Sequence, residues 1–208
     1  MLNLANAEGF IFDCDGTLLD TLDAWDAAEA ELFSQAGELT QEQEDEIHSA
    51  PIEQAAAILH EKYGVGESAD AVLAHLDAHL LPFYGERAEA LPGVVEFVRK
   101  VADAGVPCVV LSSSPRRYLE AGLARIGVLD CFRELVTTDE TGCSKQDFAI
   151  YERALDILGS SREATWAVDD APYALAVMHD FGLNTIAVGP RHATVAATVN
   201  TPTLESLL

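Results

Sequence analysis

Short apolar runs alternate with amphipathic helices along most of this chain, and one long all-helical segment interrupts the alternation. The runs are 9–14 (GFIFDC), 106–112 (VPCVVLS), 134–138 (ELVTT), 165–169 (TWAVD) and 184–188 (NTIAV). Each is too short for a helix and rich in β-branched or aromatic residues, which reads as a buried strand. Between them, 93–105 places Val94, Phe97, Val98 and Val101 on one face and stops at Gly105. Residues 148–159 follow the same pattern and stop at Gly159. Strands that alternate with helices predict an α/β fold, a doubly wound parallel sheet.

Residues 21–88 break that pattern. They contain no β-branched run, and their apolar residues recur at helical spacing, with Leu22, Trp25, Leu32 and Phe33 set on one face. The reading is a helical cap at 21–88 inserted into a core made of 1–20 and 89–208, with connections near 18–22 and 86–91. The insert is also acidic: residues 21–86 hold fifteen acids and one base, Lys62. The run Glu42–Glu46 reads as an exposed helix face. Residues 190–208 are patterned too weakly to place beyond a final helical turn.

Composition limits the functional classes. The net charge is −23, which disfavours nucleic acid and anionic membranes as partners. No window approaches the roughly 18 apolar residues of a membrane span. The first ten residues carry no base, so a secretory signal is not expected. The four cysteines, Cys14, Cys108, Cys131 and Cys143, have no CxxC spacing and read as thiols in a reducing cytoplasm. The chain is expected to act as a monomer or weak dimer.

The chemistry gathers at strand ends. Asp13 and Asp15 lie two apart at the end of the first strand, so both point to one face. That is the carboxyl edge, where open α/β sheets bind ligands. Two adjacent carboxylates repel, and a hard divalent cation removes the conflict; Mg²⁺ favours one or two carboxylates with phosphate oxygens. Asp169 and Asp170 end the fourth strand as a second acidic pair. Ser112 and Ser113 end the second strand before a helix start at Pro115, an anion-binding arrangement, and Ser114 reads as the cap of that helix. Lys145 can neutralise phosphate charge. Arg116, Arg117 and His48 read as solvated side chains, His60, His75 and His79 as cap surface, and Trp25 and Trp166 as packing residues.

FIFDCDGTLLD (10–20) resembles the first motif of the haloacid dehalogenase-like superfamily. The other elements follow in family order: Ser112, then Lys145 opening SKQDFAIYERALDILG, then Asp169 and Asp170 within WAVDDAPYALAVMHDFGLNTIAVG. The likeness covers roughly 9–20 and 90–190. It implies a Rossmann-like core with a helical cap, as in phosphoglycolate phosphatase-like and β-phosphoglucomutase-like members.

That resemblance implies roles. Asp13 would be the nucleophile that forms an aspartyl-phosphate, and Asp15 the acid and then base. Mg²⁺ would be held by Asp13, the Asp15 carbonyl and Asp170, with Asp169 acting through water. Ser112, Ser113 and Lys145 would hold the phosphate of a small phosphorylated metabolite. The acid at position 15 favours phosphate monoesters over haloacids or phosphonates. Two departures stand out. The lysine motif usually continues Lys-Pro, and here it is Lys145-Gln146. The loop Ile47–Pro51 lacks the arginine with which mutases bind a second phosphate. A phosphatase is therefore the first expectation, with a phosphomutase or an idle phospho-binding relative as alternatives.

Overall fold

The computed structural model describes residues 6–190 and 196–208. Its centre is a six-stranded, fully parallel sheet in the order β3-β2-β1-β4-β5-β6. The strands are β1 (Gly9–Phe12), β2 (Cys108–Ser112), β3 (Glu134–Thr137), β4 (Thr165–Asp169), β5 (Asn184–Ala187) and β6 (Val199–Asn200). The first five agree with the sequence reading to within two residues at either end. The sixth carries only two residues and no apolar pattern, and was not anticipated. Part of the weakly patterned tail, 191–195, lies outside the described residues; the tail ends in a 3-10 turn at Leu204–Leu207.

Strand β1 lies between β2 and β4 with every residue buried, which explains its unbroken apolar run. Successive side chains enter opposite layers. Phe10 and Phe12 stack at 5.5 Å and meet the edge of Phe97 from α5 (Val94–Asp103). Ile11 faces the other way, into the layer of α7 (Phe148–Leu158) and α8 (Pro172–Phe181). The four residues read as the inner face of α5 are all buried. The chain end packs on Gly93, where an added Cβ would lie 2.1 Å from Glu205 N.

Four helices separate β1 from α5: α1 (Leu22–Ala36), α2 (Gln41–Ser49), α3 (Ile52–Tyr63) and α4 (Ala69–Glu86). The outgoing and returning chains pair with each other. Asp20 N–H donates to Glu89 C=O at 3.0 Å, and Leu91 N–H to Leu18 C=O at 3.1 Å. Helix α4 rests on α6 (Arg116–Arg125). Asp77 of α4 accepts from Arg117 Nη2 and from Tyr118 Oη, each at 2.6 Å.

Two expectations for this region are corrected. Leu22 is 39% exposed, because as the first residue of α1 it lies against Gly16 and not in the helical layer. Ile47 and His48 sit on α2, which a Thr40–Gln43 capping box starts and which runs to Ser49, so the predicted loop is reduced to Ala50 and Pro51. No helix among the described residues is long and apolar enough to cross a membrane.

Candidate active site

The chain turns sharply just past β1. Gly16 has φ +79°, in the region that favours glycine, and a Cβ there would come within 3.1 Å of the Asp170 carboxylate. This turn holds Asp13 beside the end of β4, where Asp13 N–H donates to Val168 C=O at 2.9 Å. Asp13, Asp169 and Asp170 are all buried and offer carboxylate oxygens within 4.8 Å of one another.

One cation faces them. Lys145 is buried and its Nζ donates to Asp13 Oδ1 at 2.5 Å and to Asp169 Oδ2 at 2.9 Å. Burial alone would lower the lysine's pKa, but the two carboxylates hold it well above its ordinary value. Asp169 is pushed up by burial against the pull of Lys145. Its second oxygen accepts from Ala171 N–H at 2.8 Å, so both oxygens are engaged. Two hydrogen bonds hold the backbone around Lys145, which no proline follows. Asp147 Oδ2 accepts from Ser144 N–H at 2.8 Å, and Tyr151 Oη donates to the Lys145 carbonyl at 2.6 Å.

Asp15 has a separate environment. Thr21 Oγ1 donates to its Oδ1 at 2.7 Å, Ser114 Oγ donates to its Oδ2 at 2.6 Å, and Tyr84 Oη also donates to Oδ1. Burial and the nearby Asp13 charge raise the Asp15 pKa, although all three hydroxyls oppose the shift. Tyr84 itself is pushed well above its ordinary value by burial and by Asp15, so it keeps its proton and donates.

The structure thus brings Asp13, Lys145, Asp169 and Asp170 into one cluster and sets Asp15 on the adjoining turn. Ser112 is buried at the end of β2, next to β1, and its Oγ accepts from Ser114 N–H at 3.0 Å. Ser113 is half-buried in the turn that follows. Several expectations change. Ser114 does not cap α6, since Pro115 occupies that place; it bonds Asp15. Trp25 does more than pack, because its Nε1 donates to Tyr84 Oη at 2.8 Å. Arg116 bonds Glu134 and Glu140, and Arg117 bonds Asp77. His48 lies 3.2 Å from Glu29, and His75 bonds the Ala28 carbonyl at 3.0 Å. Thr21 and Tyr84 escaped the sequence reading altogether.

The buried carboxylates and lysine at the carboxyl edge of a parallel sheet define an α/β enzyme with its site where the central strands end. A family model described as haloacid dehalogenase-like hydrolase matches residues 7–182, and the chain belongs to that family. It is 25% identical over 182 residues to validoxylamine A 7'-phosphate phosphatase of Streptomyces hygroscopicus subsp. limoneus, covering 88% of this chain and 85% of that protein. Hexitol phosphatase A of Escherichia coli K12 is 26% identical over 200 residues, 96% of this chain and 88% of that protein. Among solved structures, a β-phosphoglucomutase from Clostridium difficile superimposes with a TM-score of 0.80 at 17% identity, covering 97% of this chain and 93% of that one, which shows the fold.

Family members generally use a divalent metal, and the donor set fits one: three buried carboxylates supply hard oxygen ligands close together, with one ammonium against them.

Proposed function

We propose that this chain is a Mg²⁺-dependent phosphatase for a small phosphate monoester, working through an aspartyl-phosphate. The observation that carries the reading is the buried cluster of Asp13, Asp169 and Asp170, with Lys145 bridging the first two, one turn away from a carboxyl at Asp15 held by three hydroxyls. Paired carboxyl groups in contrasting environments suit a nucleophile and an acid.

Asp13 attacks phosphorus; a new P–O bond to its carboxylate forms and the ester P–O bond breaks. The leaving alkoxide takes the Asp15 proton. Water then attacks the phosphoryl group, gives its proton to Asp15, and frees Asp13 and inorganic phosphate. Lys145 orients Asp13 and stabilises charge on the transferring group, as phosphoryl transfer demands. Ser112 and Ser113 hold the remaining phosphate oxygens. Asp13, Asp169, Asp170 and the Asp15 carbonyl would hold Mg²⁺, which would neutralise charge on the phosphate.

The substrate class we favour is a sugar or polyol phosphate with one phosphate group. Hexitol phosphatase A is named for phosphates of a polyol, and the other relative for a single phosphate, the 7'-phosphate of validoxylamine A. Arg116 and Arg117 are both paired with acids, which disfavours the second anion site a mutase needs. The cap is taken as 21–88, and the working setting as cytoplasmic, as a monomer or weak dimer, without nucleic acid or membrane.

Phosphate release from hexitol phosphates, sugar phosphates, phosphoglycolate, nucleotides and p-nitrophenyl phosphate tests the reading. Release with Mg²⁺ that stops in EDTA is the expected result. Release indifferent to EDTA, or none from any compound, would overturn it.

A further inference from the structure

Two of the three hydroxyls on Asp15 come from close by: Thr21 at the start of α1 and Ser114 beyond β2. The third comes from the far end of α4. Tyr84 is fully buried, and its ring stacks on Tyr118 of α6 at 5.2 Å and 23°. Trp25 of α1 meets the same Tyr118 ring edgewise at 6.1 Å.

The hydrogen bonds here have one possible direction. An indole N–H donates only. Trp25 Nε1 therefore gives its proton to Tyr84 Oη, and the single Tyr84 proton points on to Asp15 Oδ1. With Thr21 also donating to Oδ1, that oxygen is saturated as an acceptor. Oδ2 accepts one hydrogen bond, from Ser114, and is the less heavily engaged of the two carboxyl oxygens.

We infer that Tyr84, aimed by Trp25, is a positioning residue that fixes the Asp15 carboxyl for proton transfer only while α4 rests on α6. The inference rests on the phosphatase reading. The contacts that seat Tyr84 are those that join α4 to α6: the Tyr84–Tyr118 stack and the bonds from Arg117 and Tyr118 to Asp77. Lifting α4 withdraws Tyr84 from Asp15.

Tyr84→Phe keeps the ring and removes only Oη. The test compares kcat/KM, which reports the steps up to departure of the leaving group, on two kinds of ester. One is p-nitrophenyl phosphate, whose leaving group departs without a proton. The other is whichever of glucitol 6-phosphate, glucose 6-phosphate and phosphoglycolate the wild type turns over fastest. General acid catalysis is worth about 10²–10⁴-fold, so a displaced acid is expected to cost roughly tenfold or more on the alkyl ester. The loss on p-nitrophenyl phosphate should stay within about threefold. Trp25→Phe should give the same pattern more weakly, and serves if Tyr84→Phe folds poorly. Equal losses on both esters, or no loss on either, would overturn the inference while wild-type activity that Asp13→Asn removes leaves the phosphatase reading intact. A wild type silent on every ester would overturn both.

Discussion

Lys145 Nζ lies between Asp13 and Asp169, 2.5 Å from one carboxylate and 2.9 Å from the other, with all three side chains buried. The lysine is the one basic group in the carboxylate cluster among the described residues. It joins the strand that carries the proposed nucleophile to the strand that carries the acidic pair.

Lys145→Met should therefore harm folding as well as turnover. Breaking a buried ion pair leaves charge uncompensated and typically costs about 3–5 kcal/mol. Urea denaturation without divalent cation should show a loss of that order, and added Mg²⁺ should recover part of it. A variant as stable as the wild type would mean that the cluster does not depend on the ammonium.

The same repulsion makes metal binding visible in a melt. At a hundredfold excess over Kd a ligand adds about 2.7 kcal/mol. For a chain of this size that corresponds to a rise of roughly 5–10 °C in Tm. Mg²⁺ should produce such a rise in the wild type, and none in Asp170→Asn. Equal shifts in both proteins would remove Asp170 from the proposed ligand set.

The core was legible because its determinants are local. A buried strand must be apolar, and its carboxyl end must carry polar residues, so Asp13, Asp15, Asp169 and Asp170 announced themselves by position. The surroundings of Asp15 were not legible, because they depend on docking. Tyr84 reaches Asp15 across 69 residues of sequence only because α4 lies on α6. Trp25 read as packing for the same reason: its ring does pack, and its N–H finds a partner only in the folded assembly. Ser114, next to Pro115, carried the signature of a cap, which hid its bond to Asp15.

Asp77 holds α4 to α6, and its removal should be felt at a distance from the strands. Asp77→Ala leaves the Tyr118 hydroxyl and Arg117 without their acceptor. An orphaned, partly buried hydroxyl costs about 1–3 kcal/mol. Denaturation should show that loss, and activity on alkyl phosphates should fall as α4 loosens. Unchanged activity with the stability loss present would show that the α4–α6 contact is structural alone.

A pH dependence follows at the outer end of β3. Arg116 holds the Glu140 carboxyl below its usual range. A folded value below the unfolded one means that the contribution is complete above the unfolded value and is lost as pH falls through the lowered one. Glu140 is largely exposed, so the effect is at most about 1 kcal/mol. Glu140→Gln should melt slightly below the wild type at pH 7, and the difference should close in acid and in high salt. A difference that grows in acid would contradict the pairing.

The proposed chemistry is covalent and centred on Asp13. The direct measurement is to quench the enzyme in acid during turnover of its best phosphate ester and map the attached phosphoryl group by mass spectrometry, with Asp13→Asn beside it. The expected result is one phosphoryl group on Asp13, none in the variant, and a variant that folds but does not turn over. A phosphoryl group on any other residue, or an Asp13→Asn enzyme that keeps more than a small residue of the wild-type rate, would contradict it.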